Sequence, residues 1–320
     1  EMTQAEINNL PSYDGEFLMR IHGTGCYTSW SLLKRWNRKN ELLADSAERS
    51  SVAASWLGGK KYPQEVLNAA WERFLWHQFH DDLPGTSLVE AYTDTYNDYI
   101  LSMNQFSEEF ITSVQVVSAA LDTMISQGQP LVVYNPVSFS REDVVEAQVT
   151  FNGSAPEYIA VIDPDGNEVP SQVIEKVSSD TLKIVFVAKM PSNGYKVFAV
   201  VPSDKPCSLN TGLSVAENTL ENNFYKVTID ENGDISSIFD KKNNKELLKN
   251  PIRQEMLTAT PLGYSAWEIK HEDIMAKPRG YVSGSPEINI LEKGPARVSL
   301  EMKRKTGNST FTQVISLHSG

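Results

Sequence analysis

The chain has 320 residues, of which 40% are hydrophobic and 22% charged, and its 41 acidic and 29 basic side chains give a formal charge of −12. This composition suits two or three folded globular domains and excludes a largely disordered chain. The acidic balance, with no basic stripe, argues against nucleic acid or anionic lipid as partners, and no apolar run approaches the ~18 residues of a membrane helix.

The first 127 residues carry helical patterns and the rest mostly strand patterns, a segregation that predicts separate α and β domains rather than an alternating βαβ fold. Helix one is expected from about Thr28 to Trp56, with Leu32, Leu33, Trp36, Leu42, Leu43 and Val52 at roughly helical spacing and Gly58-Gly59 after it. Pro63 suits the first turn of helix two, whose apolar residues Val66, Leu67, Ala70, Phe74 and Leu75 lead to His80, and Pro84-Gly85 stops it. Helix three has the clearest pattern: Val89, Tyr92, Tyr96, Tyr99, Met103, Phe106, Phe110, Val114, Val117, Leu121 and Met124 alternate three- and four-residue steps. A helix that long needs partners, and the first two supply them, so residues 1–127 are expected to form a three-helix bundle.

After Gly128-Gln129-Pro130 come short strands bounded by turn residues: Leu131 to Tyr134, Tyr158 to Ile162, Leu182 to Val187 and Val197 to Val201. They predict a small antiparallel β-sandwich over 128–211. Residues 202–211 are rich in Pro, Ser, Asp and Asn and read as a connection to a second, larger β unit over 212–320. There Tyr225, Val227 and Ile229 alternate with polar residues, and Asn232-Gly233 predicts a hairpin turn before Ile235 and Ile238. The chain begins at Glu1 and stops within or just after an apparent strand at Val314 to Gly320, so we expect a piece of a longer protein whose last β unit is incomplete.

Candidate chemistry is sparse. Cys26 and Cys207 lie far apart without a Cys-x-x-Cys spacing, which suggests neither a disulfide framework nor a cysteine-rich zinc site and leaves the compartment open. Histidine occurs five times, at His22, His77, His80, His271 and His318. His77 and His80 stand three apart on the expected helix, which makes a two-histidine ligand pair geometrically possible; a partly buried histidine satisfied by hydrogen bonds fits the same spacing. His80-Asp81-Asp82 at a helix end is more unusual, because acids at a C-terminus oppose the helix dipole by a few tenths of a kcal/mol each. Successive helical residues point about 100° apart, so Asp81 and Asp82 cannot both face one glycosidic bond. Asp82 reads better as a capping group for helix three, acting with Thr86 or Ser87.

The run Ala70-Trp71 through Leu75-Trp76-His77-Gln78-Phe79-His80-Asp81-Asp82-Leu83-Pro84-Gly85-Thr86-Ser87 resembles the middle-domain signature of glycoside hydrolase family 38, the α-mannosidases. There a helix carries a His-Asp pair followed by a Pro-Gly-(Ser/Thr)-Ser or Thr-Gly-Thr turn. Three other stretches are similar in order and spacing: His22 to Ser29 with Lys34-Arg35 and Asn37-Arg38, Leu131 to Phe139, and Glu221 to Lys241. The resemblance therefore extends over nearly the whole chain.

What the resemblance implies is specific. His80 matches a zinc ligand and Asp81 matches an aspartate that hydrogen-bonds the bound mannose. Zinc orients the sugar ring, and hydrolysis is retaining, through a carboxylate nucleophile and a second carboxylic acid. The remaining zinc ligands, the nucleophile and the acid/base belong to an N-terminal β/α domain expected upstream of Glu1, so no catalytic residue is assigned within this chain. The substrate implied is a mannose-containing oligosaccharide, and the bundle is expected to pack against that absent domain. The His22 stretch carries about one residue more than the family pattern and lacks its arginine, so His22 receives no role; His77 matches no family role and is taken as structural. Asp82 stands where the family more often has an apolar residue. The isolated chain is expected to bind zinc weakly and to hydrolyse nothing. A different reading is a carbohydrate-binding or assembly module without catalysis, for which Trp267 is the candidate aromatic platform, although a core tryptophan fits it as well. Asn152-Gly153-Ser154 and Asn308-Ser309-Thr310 match the glycosylation sequon.

Overall fold

A computed structural model describes residues 2–12, 23–124, 128–261 and 263–319. Its helices come first: α1 Gln4–Asn8, α2 Ser31–Trp56, α3 Gln64–Trp76 and α4 Ala91–Ala120. Strands β1 Gln129–Asn135, β2 Arg141–Thr150, β3 Tyr158–Ile162, β4 Glu168–Val169, β5 Ser171–Lys176, β6 Thr181–Met190 and β7 Gly194–Ser203 follow. The rest comprises β8 Ser214–Ala216, β9 Thr219–Glu221, β10 Tyr225–Ile229, β11 Ile235–Asp240, β12 Lys245–Glu246, β13 Glu255–Met256, a short helix α5 His271–Met275, β14 Gly280–Tyr281, β15 Glu287–Lys293, β16 Arg297–Thr306 and β17 Ser309–His318. A helical part followed by antiparallel sheets is the fold class expected from the sequence. Among the described residues no helix is long and apolar enough to cross a membrane.

The chain forms two compact units. The first comprises Glu1–Leu42, Asn68–Gln105 and Leu257–Arg279. Its core is aromatic: Trp30 stacks on Tyr92 at 4.5 Å between ring centroids, Trp36 meets Tyr96 edge-on at 5.2 Å, and Phe74 lies 6.1 Å from Tyr99. Trp30 immediately precedes α2 and the others lie on α2, α3 and α4, where the apolar periodic residues join the three helices. Buried polar groups are paired. The side-chain amide of Asn40 donates to the carbonyls of Trp36 and Tyr99, and its oxygen accepts from Ser102 Oγ at 2.8 Å. The backbone of Trp267 is part of this unit too: its carbonyl accepts the N–H groups of Gly23 and Gly25, while Ser29 Oγ donates to the Ala266 carbonyl at 2.7 Å.

The second unit comprises Leu43–Leu67, Phe106–Met256 and Gly280–Gly320. It holds two sandwiches. In the first, a sheet ordered β1-β7-β3-β4 faces a sheet ordered β2-β6-β5. Val149, Ile159, Val161, Leu182, Ile184, Phe186, Phe198 and Val200 fill the space between them. Burial alternates along β3, the pattern of a strand with one face on a core, whereas the central strand β6 is buried on both faces from Ile184 to Ala188. In the second sandwich the sheet β12-β11-β10-β9-β8 packs on β15-β16-β17 through Leu220, Val227, Ile229, Val298, Leu300 and Met302. The expected β10–β11 hairpin is present, but its connection spans 230–234 rather than two residues. Asp230 Oδ1 accepts the N–H groups of Asn232 and Asp234, and Gly233 takes φ 76°. An Asx-type turn has replaced the tight Asn-Gly turn.

Candidate functional site

The segment after α3 carries the candidate site. The sequence pattern continues helix two to His80, but α3 ends at Trp76 and residues 77–85 form consecutive turns. The N–H groups of Gln78 and Phe79 reach the carbonyls three residues back, the tightening typical of a helix end without a glycine cap. His77 and His80 therefore do not share a helical face, and the geometric case for a two-histidine pair lapses. The turn is closed by Gly85 in the left-handed region at φ 89°, packed so closely on Ser29 that a Cβ would lie 2.9 Å from the Ser29 carbonyl oxygen.

His80 is the most open member of the site, with 78% of its side chain exposed, its ring 4.2 Å from that of Phe79 and its Nε2 3.4 Å from Asp81 Oδ2. Asp81 is held more firmly. Its Oδ1 accepts from Thr86 Oγ1 at 2.8 Å, and its carbonyl accepts the N–H groups of Thr86 and Ser87 and the Tyr92 hydroxyl. One carboxylate edge is thus tied to the loop and the other lies toward His80. Tyr92 completes the arrangement by accepting the Ser87 N–H at 2.8 Å, and burial of its ring raises the phenol above its ordinary range.

Asp82 does not cap helix three, which begins only at Ala91. Its Oδ2 lies 3.0 Å from His77 Nδ1 and its Oδ1 accepts from Ser87 Oγ at 2.7 Å. The opposite ring nitrogen of His77, Nε2, lies 3.1 Å from Asp98 Oδ2, and Asp98 Oδ1 lies 3.3 Å from Arg73 Nε. Only 5% of the His77 side chain is exposed. Lys34 anchors the far side of the loop. Its ammonium donates to the carbonyls of Ser29 and, at 2.9 Å, Pro84, and burial lowers its pKa from the ordinary lysine value. Beside it lies an apolar-walled cavity of about 460 Å³ lined by Gly23, Cys26, Tyr27, Lys34, Asn37, Leu83 and Pro84.

The structure brings His80 and Asp81 side by side, as adjacent residues of one exposed turn. Neither the Tyr92 hydroxyl nor the Lys34 ammonium is marked as part of the site by a local pattern: Tyr92 reads as a core aromatic in the seam of helix three, and Lys34 enters only through the family resemblance of Lys34-Arg35. Asp98 is equally silent, since it meets His77 only through the packing of α4. Trp267 is partly buried and holds Gly23 and Gly25, ahead of α2, through its carbonyl; with Tyr264, 6.4 Å away and largely exposed, it forms a tilted aromatic pair. His22 lies outside the described residues.

Among the described residues no group of three or more His, Cys, Asp or Glu side chains is placed to hold a metal ion. Zinc takes four N, S or O ligands, three or four of them from protein. The exposed imidazole of His80 with one carboxylate beside it fits a partial contribution to an ion shared with other residues, and does not fit a self-contained centre.

Comparison with known proteins agrees in extent and order. Residues 22–117 match the model of the α-mannosidase middle domain, and residues 220–320 match that of the C-terminal domain of family 38 glycosyl hydrolases. Over 97% of its length the chain is 23% identical to α-mannosidase G of Dictyostelium discoideum, and it spans 30% of that protein. An α-mannosidase of Saccharomyces cerevisiae is 28% identical over 46% of the chain and 13% of the yeast protein. A crystal structure of an α-mannosidase from Enterococcus faecalis superposes with a TM-score of 0.72 at 18% identity, covering 99% of this chain and 44% of the bacterial one. The chain thus spans less than half the length of each of these relatives.

Proposed function

Because the chain belongs to glycoside hydrolase family 38, the α-mannosidase family, we propose that it is the middle and early C-terminal part of a zinc-dependent, retaining α-mannosidase that removes terminal α-linked mannose from oligosaccharides. The observation that carries this reading is the His80-Asp81 turn, an exposed imidazole beside a carboxylate that Thr86 holds in place.

In this reading His80 donates one nitrogen to zinc and Asp81 accepts hydrogen bonds from mannose hydroxyls. Bound zinc supplies a template that orients the sugar ring. The carboxylate next to His80 Nε2 favours a fixed ring orientation, and the hydrogen bonds that Thr86, Ser87 and Tyr92 make to the Asp81 carbonyl fix the backbone on the side of Asp81 away from His80. The nucleophile, the acid/base and the other zinc ligands lie on a part of the protein outside this chain, against which the helical part packs. We also propose domain divisions at 128 and 212; the first sandwich core draws on residues 149–200 and the second on 220–302, which supports the later boundary.

The test is hydrolysis of 4-nitrophenyl α-mannoside. The longer protein should turn it over and lose the activity on dialysis against a chelator, regaining it with zinc, while these 320 residues alone should be inactive because they supply one nitrogen ligand and no nucleophile. Chelator-resistant turnover by the longer protein, or turnover by the isolated chain, would refute the assignment.

A further inference from the structure

The most developed polar cluster outside the proposed contacts lies directly beneath them. His77 is buried and both of its ring nitrogens face carboxylates: Nδ1 to Asp82 Oδ2 at 3.0 Å, Nε2 to Asp98 Oδ2 at 3.1 Å. Ionised carboxylates only accept, so both contacts are hydrogen bonds when each nitrogen carries its proton. Two further donors complete the cluster, Arg73 Nε near Asp98 at 3.3 Å and Ser87 Oγ to Asp82 at 2.7 Å. Asp98 is on α4 and Arg73 on α3, both in regular helix, whereas Asp82 belongs to the turn that carries His80 and Asp81 and Ser87 lies just after it. The imidazole thus ties an irregular loop to α4, and Arg73 ties the same Asp98 carboxylate to α3.

We infer that His77 is a positioning residue for the site, fixing the His80-Asp81 turn by bridging Asp82 to Asp98. The inference rests on the zinc-dependent reading above. His77 touches neither zinc nor sugar in it. The bridge removes the backbone freedom that an uncapped, glycine-closed turn would otherwise keep, so the ligand and the sugar contact are held in place before substrate arrives.

The experiment uses the zinc-loaded longer protein, with zinc dissociation constants measured by chelator competition and kcat/KM measured well below the melting temperature. His77→Ala and Asp82→Ala should each weaken zinc binding about tenfold, the effect typical of groups that orient a metal ligand. The double variant should be no worse than either single one, because both break the same bridge. Asp82→Asn, which keeps an acceptor for Nδ1, should stay within about twofold of the unsubstituted protein. If His77→Ala and Asp82→Ala lower the melting temperature yet leave zinc affinity and kcat/KM unchanged, His77 is a packing residue and the inference is wrong. His80→Ala separates the two levels. Lost zinc affinity there, with none lost on His77→Ala, overturns the bridge alone; unchanged zinc affinity there overturns the site itself and the bridge with it.

Discussion

Asp234 and Arg304 make a salt bridge with both side chains 98% buried, Nη1 to Oδ1 at 2.6 Å. Arg304 Nη1 also donates to the Asn232 carbonyl, and Arg253 Nε donates to the second Asp234 oxygen at 3.0 Å. The pair fastens the β10–β11 connection to β16. Removing one member of a fully buried pair leaves the other charge without compensation, so Asp234→Ala should cost about 3–5 kcal/mol in urea unfolding. Arg253→Ala, at the half-exposed end of the same network, should cost about 1 kcal/mol or less. Equal losses would mean that water reaches Arg304. Individual residues were the least legible part of the sequence. His80 and Asp81 stand in a motif, but Asp98 as a partner of His77, Arg304 of Asp234 and Pro84 of Lys34 lie 21, 70 and 50 positions away and leave no local pattern. Asp82 differs from these: its imidazole partner is only five residues away, but the nearby hydroxyls suggest a cap and nothing local shows that His77 turns back toward it.

Elements were read more successfully where one periodic pattern extended over many residues. The seam of helix three anticipated α4 to within four residues at its C-terminus, because thirty residues of consistent burial leave little ambiguity. The sequence pattern carries helix two beyond the end of α3, since Trp76 to Phe79 still have helical composition, whereas His77 stands between Asp82 and Asp98. Strand β2 supplies a pH-dependent link. Glu146 accepts hydrogen bonds from Lys183 of β6 and from Arg297 of β16, which hold its carboxyl below the ordinary value of 4.5. The folded state therefore favours the ionised form, so this contribution is complete above pH 4.5 and is lost as pH falls through the lowered folded-state value. Between pH 6 and 3 the stability difference between the unsubstituted chain and Glu146→Gln should shrink; a constant difference would remove Glu146 from the acid response.

For the whole molecule, the division into a helical part and antiparallel sandwiches was legible because α and β patterns are segregated along the chain. The two compact units were not. Ala44, Ala47 and Ala54 are fully buried on the second half of α2, which belongs to the same unit as the sheets, and no break in periodicity marks where one unit gives way to the other. In the proposed reading, completion of the site is likewise a matter of the longer protein, which would bring further ligands and a nucleophile to one imidazole and one carboxylate on an exposed turn. The most direct measurement is zinc affinity together with mannoside hydrolysis for His80→Ala and Asp81→Asn in the longer protein. His80→Ala should lose more zinc affinity than the ~10–100-fold typical of an indirect partner. Asp81→Asn should keep zinc within a few-fold and lose kcat/KM. Zinc binding that is indifferent to His80, or hydrolysis indifferent to Asp81, would contradict the assignment of this turn to the active site.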